Sequence, residues 1–221
     1  MNAQAKLPRS QKQKIERAAQ IVGILADRYP AAECALRYEG DPFRLLVMAI
    51  LSAQCTDARV NTVSETLFAH FPTPAAMAEA EIAQIENDVR SCGLYRTKAE
   101  HIRQASAILV RDYDGKVPAD MDALLSLPGV GRKIANLIRG DIFSLPAIVT
   151  DTHCIRIAGR LGLCTPGDKN PLRVERALTA LIAPAEQSDF CHRLVLFGRD
   201  CCTARAPHCT DCPLAAYCVQ P

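Results

Sequence analysis

The chain has 221 residues, of which 49% are hydrophobic, so it can bury one large core or two modest ones. Aromatic residues make up only 5% and Trp is absent, and this composition favours helix over sheet. The formal net charge of +2 excludes a globally basic protein, so any nucleic-acid surface must be a local patch.

The 11 cysteines are spread unevenly along the chain. Six are isolated and are predicted to be small core residues, namely Cys34, Cys55, Cys92, Cys154, Cys164 and Cys191. The other five lie within residues 201–218. Residues 1–6 lack the apolar core of a signal peptide, and the longest apolar run, residues 45–51, is too short to cross a bilayer. We therefore expect a reduced cytoplasmic protein with a metal-binding cysteine cluster.

Helical periodicity recurs along nearly the whole chain. Apolar positions at helical spacing predict an amphipathic helix over residues 13–29, and Asp41-Pro42 opens a nearly all-apolar helix over residues 43–52. Further helices are predicted at residues 58–71, 74–80, 81–90, 96–113, 120–127, 132–143, 152–161, 171–182 and 184–198. No segment alternates as a strand would, so the sequence predicts an all-α protein of roughly ten short helices.

Residues 124–139 contain a tight Pro-Gly-Val-Gly turn between two helices. Gly129 and Gly131 allow backbone conformations barred to other residues. The amides of Gly129, Val130 and Gly131 lie at a helix N-terminus, which favours a phosphate. The turn is either a phosphate cradle or only a short helix connection. Lys133 lies in the first turn of the second helix, where a cation opposes the helix dipole, and this unfavourable placement indicates a function.

Three polar residues precede or follow predicted helices. Gln54 ends an apolar helix, so its amide must pair internally or face a cleft. Asp57 is predicted to cap the helix that follows. Asp151 heads the helix over residues 152–161, either as a simple N-cap or as a carboxylate that the helix dipole keeps ionised.

The sharpest metal signal is the spacing Cys202-x6-Cys209-x2-Cys212-x5-Cys218. Zinc and a [4Fe–4S] cluster both accept four thiolates. Zinc ribbons usually carry two C-x2-C pairs and only one is present here, which favours the cluster. Cys201 is an alternative first ligand, because choosing it makes the first spacing x7.

Three motifs together resemble the endonuclease III family, which comprises DNA glycosylases and abasic-site lyases with a helix-hairpin-helix motif. They are L-P-G-V-G-R-K at residues 127–133, V-T-D-T-H at residues 149–153 and the cysteine spacing of the C-terminal segment. The resemblance extends over nearly the whole chain and includes residues 51–57 and 93–95. Three motifs in the same order are far more specific than any one of them.

The resemblance implies an all-α fold of two helical domains that flank a DNA-binding cleft. A six-helix barrel domain is expected at residues 35–145, with the helix-hairpin-helix motif at about residues 120–143. Residues 1–34 and 146–221 are expected to form a discontinuous helical domain, which carries the [4Fe–4S] cluster loop at residues 202–218.

The resemblance also implies roles for single residues. Lys133 matches the nucleophile that attacks the sugar and forms a Schiff base, and we expect partial burial and the positive helix end to favour its neutral amine. Asp151 matches the essential carboxylate, and Gln54 and Leu94 match residues that enter the duplex when a damaged nucleotide is flipped out.

In the C-terminal segment, the implied cluster ligands are Cys202, Cys209, Cys212 and Cys218. The cluster is expected to be structural rather than to exchange electrons in the reaction. Arg205, which belongs to the same loop, is predicted to touch DNA phosphates.

The implied function is base excision repair of double-stranded DNA with oxidised pyrimidines or abasic sites. The protein is expected to act as a monomer on the bacterial nucleoid, without a membrane. One alternative is an adenine-mismatch glycosylase, in which the nucleophile is missing at the lysine position. Another is a non-catalytic DNA-binding module with a zinc knuckle. Two features depart from the family pattern: residues 139–144, and Cys55 where a smaller residue is expected.

Overall fold

The computed structural model describes residues 5–220, and these residues form α-helices and no β-strand. The predicted all-α class is confirmed. The helices are α1 (Gln11–Arg28), α2 (Pro42–Leu51), α3 (Asp57–His70), α4 (Pro74–Glu79), α5 (Ile82–Asp88), α6 (Tyr95–Tyr113), α7 (Met121–Leu125), α8 (Arg132–Asp141), α9 (Thr152–Arg160), α10 (Pro171–Thr179) and α11 (Gln187–Asp200).

The chain folds into two compact units. Cys34–Phe143 form the first, which we call the continuous unit. The second, the discontinuous unit, joins the segment that ends at Glu33 to the segment that begins at Ser144. The N-terminal segment, residues 1–6, is predicted to lack a signal peptide. Residues 1–4 of this segment lie outside the described residues. Within the described part of the chain, none of the helices combines the length and hydrophobicity that a membrane crossing demands.

The core of the continuous unit surrounds α2. Every residue of this helix except Pro42 and Arg44 is buried, and the helix packs against α3, α6 and α8. Its start is fixed locally, because the Asp41 carboxylate accepts hydrogen bonds from the amides of Phe43 and Arg44 at 2.7 and 3.1 Å. A helix that is apolar on nearly all sides must be central, as the sequence predicted.

The next helix, α3, begins one residue earlier than predicted. Thr56 is its N-cap and accepts a hydrogen bond from the Arg59 amide at 3.3 Å. Asp57 is instead the first helical residue, so the prediction that it caps α3 is wrong. An acidic side chain in this first turn still complements the helix dipole.

The discontinuous unit is built around α11, which packs against α1 and α9. Phe190 and Phe197 of α11 are fully buried. The unit also contains the segment that follows α11, in which the cysteines are crowded. Of the six isolated cysteines, three are buried as predicted (Cys92, Cys154 and Cys191) and three are partly exposed (Cys34, Cys55 and Cys164).

Candidate functional site

The turn between α7 and α8 is closed by its own backbone. The Val130 amide donates a hydrogen bond to the Leu127 carbonyl at 3.0 Å, and the Val130 side chain is buried in the core of the continuous unit. This amide is therefore engaged within the turn. An amide that already donates to a carbonyl offers less to an anion, so the phosphate contact predicted for Val130 stays a prediction.

The two glycines of the turn have different physical roles. Gly129 has a φ of +80°, and a Cβ atom there would lie 3.0 Å from both Cβ and Nδ1 of His101. Gly131 has a φ of −95°, which any residue adopts, and a Cβ atom there would meet open space. The prediction that both glycines need special backbone angles is wrong for Gly131. Its missing side chain instead leaves the start of α8 uncovered.

We expect Gly129→Ala to destabilise the protein by about 2–4 kcal/mol, because left-handed strain and overpacking against His101 add together. The measurement is urea-induced unfolding followed by circular dichroism. Gly131→Ala is the matched control and should change the free energy of unfolding by less than about 0.5 kcal/mol. Equal effects of the two substitutions would contradict this account of the turn.

The first turn of α8 contains two cations and no acidic residue. Gly131 caps the helix without a side-chain hydrogen bond. Arg132 and Lys133 are both exposed in that turn. The expectation that Lys133 is partly buried is therefore wrong, because its side chain lies on the outer face of the helix. Dipole and cations together make this helix end attractive to a phosphate.

Gln54 and Leu94 share a rare backbone conformation. Their φ angles are +53° and +59°, in the left-handed region, and both side chains are exposed. Leu94 is 60% exposed, which is unusual for a large hydrophobic residue. A Cβ atom at Gly93 would lie 3.6 Å from the Gln54 carbonyl oxygen, so the two loops touch. Strain of this kind persists where the surrounding structure enforces it, and it clusters at ligand-binding sites.

Lys98 joins the two loops and was missed by the sequence analysis. It lies in the first turn of α6, just after Leu94, and only 3% of its surface is exposed. Its Nζ donates a hydrogen bond to the Leu51 carbonyl at 2.7 Å, at the end of α2 and just before Gln54. A cation at the C-terminus of a helix complements the helix dipole. No sequence signal distinguishes this lysine from a solvated one.

Asp151 is the N-cap of α9 in the discontinuous unit. Its Oδ1 accepts a hydrogen bond from the Cys154 amide at 2.7 Å, and the residue is half-buried. Both alternatives that the sequence left open are compatible with this geometry. A carboxylate has a second oxygen, so the capping bond to Oδ1 leaves Oδ2 able to accept hydrogen bonds or to stabilise a positive charge. Lys133 lies in the other unit.

A cavity of about 300 Å³ lies in the discontinuous unit beside the end of α11. Its lining includes all five C-terminal cysteines, namely Cys201, Cys202, Cys209, Cys212 and Cys218. Among the described residues, no three His, Cys, Asp or Glu side chains are arranged to hold a single metal ion. Thiols spread around a cavity of this size suit a polynuclear centre better than one zinc ion.

Cys201 and Cys202 differ in what their sulfur atoms contact. The Cys201 thiol is buried and donates to the His208 carbonyl at 3.6 Å. The Cys202 sulfur instead accepts a hydrogen bond from Arg160 Nη1 at 3.2 Å. A metal binds a cysteine through the lone pairs of its sulfur, and the Cys202 sulfur already acts as an acceptor. The geometry therefore favours Cys202 as the first ligand and leaves Cys201 as a neutral thiol.

Two arginines of α9 attach the cluster loop to this helix, and the sequence analysis missed both. Arg156 Nη2 donates to the Cys202 carbonyl at 2.9 Å, and Arg160 Nη1 donates to the Thr203 carbonyl at the same distance. Their spacing of four residues places them on one face of α9. That spacing was the only signal in the sequence. The helix that Asp151 caps, α9, thus also holds the start of the cluster loop.

The donor set fits an iron–sulfur cluster. Burial raises the pKa of the Cys212 and Cys218 thiols, so these sulfurs hold their protons until a strong Lewis acid displaces them. Iron bound to four thiolates supplies that driving force. Arg205 lies in the same loop with its side chain exposed.

Comparison with known proteins agrees with this arrangement. A family model described as HhH-GPD superfamily base excision DNA repair protein matches residues 47–184. A second model, the iron–sulfur binding domain of endonuclease III, matches residues 202–218. The second match begins at Cys202 and ends at Cys218.

Individual relatives match over nearly their whole length. The chain is 43% identical over 196 residues to endonuclease III of Bacillus subtilis, which covers 89% of each chain. A solved structure of a non-covalent endonuclease III–DNA complex superposes with a TM-score of 0.87 at 42% identity, covering 92% of this chain and 94% of that one. A trapped endonuclease III–DNA covalent intermediate gives a TM-score of 0.86 at 41% identity, with 96% of each chain covered.

Proposed function

Because the chain belongs to the endonuclease III family within the HhH-GPD superfamily of base excision DNA repair proteins, we propose that it uses Lys133 to excise oxidised pyrimidines from duplex DNA. It also cleaves abasic sites, acts as a monomer and works on the bacterial chromosome in the cytoplasm. The observation that carries the proposal is the exposed side chain of Lys133 at a helix N-terminus whose first turn contains no acidic residue.

The first step is the grip on the DNA backbone. The N-terminal amides of α8 and the amides of Gly129 and Gly131 bind one phosphate, and Arg132 adds charge. The Val130 amide contributes less to this contact, because it closes the turn. Phosphate contacts position the duplex without reading its sequence, which suits an enzyme that must search long stretches of DNA.

The second step opens the duplex. Gln54 and Leu94 project from touching loops and have exposed side chains, so they can enter the stack that the flipped nucleotide leaves. Unstacking costs a few kcal/mol, least for a damaged base. Lys98 holds the two loops together through the Leu51 carbonyl, so little further ordering is required on binding.

The third step is covalent. The neutral amine of Lys133 attacks the sugar C1′ as the base departs, and the resulting Schiff base loses a C2′ proton, after which the bond to the 3′ phosphate breaks by β-elimination. Water then hydrolyses the Schiff base and frees the amine. The exposed lysine must exchange water for DNA before it reacts, since desolvation favours its neutral form.

Asp151 contributes electrostatically. Loss of the base leaves positive charge on the sugar, and a nearby carboxylate lowers that barrier. We expect Asp151→Asn to reduce single-turnover base excision by about a hundredfold. The asparagine side chain still caps α9, so the melting temperature should change little. A variant that loses stability and activity in parallel would show that Asp151 is only a cap.

The cluster loop forms the second DNA contact. The match to the iron–sulfur binding domain of endonuclease III implies a [4Fe–4S] cluster. Its ligands would be Cys202, Cys209, Cys212 and Cys218. When bound, the cluster cross-links the loop at four points and has a structural role. Arg205 then lies in an ordered loop, where its guanidinium can bind a phosphate.

The test is borohydride trapping. The protein is incubated with a duplex that contains either thymine glycol or an abasic site, and borohydride reduces the Schiff base to a stable protein–DNA adduct. We expect an adduct with both substrates and strand cleavage without borohydride. Binding without any adduct or base release would instead favour the non-catalytic DNA-binding module. Release of adenine from a mismatched duplex without an adduct would favour the mismatch glycosylase.

A further inference from the structure

Two cysteines outside the cluster lie beside the loops that hold Gln54 and Leu94. Cys55 follows Gln54 directly, and Cys92 precedes Gly93 and Leu94. The Cys55 and Cys92 thiols lie close enough for each other's charge to matter, since burial and the nearby Cys55 both raise the pKa of the Cys92 thiol. Neither thiol has a part in the proposed reaction or in the cluster, so the pair remains unexplained by the function above.

The backbone around this pair is already close. A Cβ atom at Gly93 would contact the Gln54 carbonyl oxygen at 3.6 Å, so the residue before Cys55 meets the residue after Cys92. Both cysteines lie in turns, where the Cys55 amide donates to Ser52 and the Cys92 amide donates to Val89. Two cysteines on turns whose backbones approach this closely are candidates for a disulfide, which requires neighbouring Cα and Cβ atoms.

The two thiols differ in access. Cys55 is partly exposed, whereas Cys92 is buried with 1% of its surface accessible. Burial raises the pKa of the Cys92 thiol to about 11, and the charges of Lys98 and Arg59 oppose this rise. Cys55 is therefore the thiol that an oxidant reaches first, and Cys92 is the thiol that completes the reaction.

We propose that Cys55 and Cys92 form a redox modification site, at which a low-molecular-weight disulfide converts the two thiols into a disulfide that ties the Gln54 loop to the Leu94 loop. The oxidation of these two thiols does not depend on the proposed function. Its consequence for DNA rests on the proposed insertion of the two loops.

The reaction balances in two exchange steps. The Cys55 thiolate attacks one sulfur of the small disulfide, which forms a mixed disulfide and expels one small thiolate. Cys92 then loses its proton to solvent and attacks the Cys55 sulfur, which forms the Cys55–Cys92 bond and expels the second small thiolate. Two protein thiols are oxidised, and one small disulfide is reduced to two thiols.

The bond changes the geometry of the two loops. A covalent S–S bond is shorter than any non-bonded distance between two sulfur atoms, so oxidation draws the loops together. Gln54 directly precedes Cys55, Leu94 follows Cys92 by two residues, and both already hold left-handed backbones. We therefore infer that oxidation displaces these side chains and weakens binding to damaged DNA. Contacts to undamaged DNA through phosphates should persist.

A second thiol pair provides an internal comparison. Cys154 and Cys191 in the discontinuous unit also interact, since Cys191 raises the pKa of the Cys154 thiol, but both cysteines are buried. The Cys191 sulfur also accepts a hydrogen bond from the Val149 amide at 3.2 Å. An oxidant from solvent has no partly exposed member of this pair to attack. The same treatment should therefore leave it reduced.

The first experiment maps the disulfide. The cluster-loaded full chain is treated anaerobically with oxidised glutathione, alkylated and digested with trypsin without reduction, while its iron content is monitored. We expect a linked species of peptides 45–59 and 91–96 that dithiothreitol separates. Peptides 140–156 and 177–193, which contain the buried pair, should remain unlinked. Linkage at the buried pair instead, or only a stable glutathione adduct, would overturn the proposal.

The second experiment measures DNA binding. Oxidation should weaken binding to an abasic-site duplex about tenfold, reversibly, and leave binding to undamaged duplex unchanged. Cys55→Ser and Cys92→Ala should each bind as the reduced protein does and resist oxidation. If Cys92→Ala fails to fold, the partly exposed Cys55 still provides the test. Unchanged binding after complete linkage would overturn the inferred effect, whereas a reduced protein that ignores damaged DNA would refute the proposed function alone.

Discussion

We expect Lys133→Arg to abolish the borohydride adduct while DNA binding is retained. The guanidinium keeps the positive charge at the start of α8 but stays protonated at neutral pH, so it cannot act as an amine nucleophile. We expect the yield of trapped complex to fall by a factor of at least about 10³, since a covalent route is lost outright. Denaturing gel electrophoresis measures the adduct, and fluorescence anisotropy measures the affinity.

The neighbouring cation supplies the control for this prediction. Arg132→Ala removes a charge from the same exposed helical turn and leaves the amine in place. It should weaken binding at low salt but still give an adduct once the DNA is saturating. If Lys133→Arg still forms the adduct, another amine is the nucleophile and the central assignment fails.

The residues that the sequence revealed are those that break a local rule. A lysine in a helix N-terminal turn opposes the dipole, and a glutamine at the end of an apolar helix lacks an obvious partner. Both conflicts can be seen within a few residues, so one sequence was enough to single out Lys133 and Gln54. The all-α class followed from periodicity for the same reason, because helix formation leaves a local pattern.

The features that were missed depend on contacts between distant segments. Lys98 is buried because its Nζ reaches a carbonyl 47 residues away, and Arg160 reaches a sulfur 42 residues away. Periodicity carries no information about such pairs. The expected burial of Lys133 failed similarly, since exposure depends on which face of α8 packs on the core. The hydrogen bond of the Val130 amide within its own turn could not be predicted from the motif either.

The choice between Cys201 and Cys202 also required the structure. Both amides donate to the Phe197 carbonyl, at 2.9 and 2.8 Å, so the backbone ends α11 in the same way at either residue. The sulfur atoms nevertheless point to different partners, His208 for Cys201 and Arg160 for Cys202. A ligand-spacing motif cannot distinguish two adjacent cysteines, whereas the contacts of their sulfur atoms in the structure can.

Cys202→Ala is expected to lose the bound cluster, whereas Cys201→Ala keeps it. Removal of one thiolate leaves three ligands and an iron site open to solvent, so the cluster should dissociate or degrade during purification. Cys201 instead fills a buried position as a neutral thiol. Measured iron and acid-labile sulfide should fall to near zero in the first variant and stay close to the wild-type value, about four of each, in the second.

The two substitutions should also separate in stability. A cross-link that closes a loop of this length contributes about 3 kcal/mol by restricting the unfolded chain, and Cys202→Ala loses that contribution. It also leaves the Arg160 guanidinium without its sulfur partner, although the bond to the Thr203 carbonyl remains. Cys201→Ala should cost only about 1–2 kcal/mol for a small buried cavity.

The reverse result would identify the other register of ligands. If Cys201→Ala lost the iron and Cys202→Ala retained it, the first spacing would be x7, and the Arg160 contact would be incidental to the cluster. If both variants lost iron, Cys201→Ser would separate a packing role of Cys201 from a ligand role. Serine preserves the volume and a weak donor, so this variant should bind the cluster if Cys201 acts only by packing. A serine variant that also lost the cluster would require Cys201 sulfur itself as a ligand.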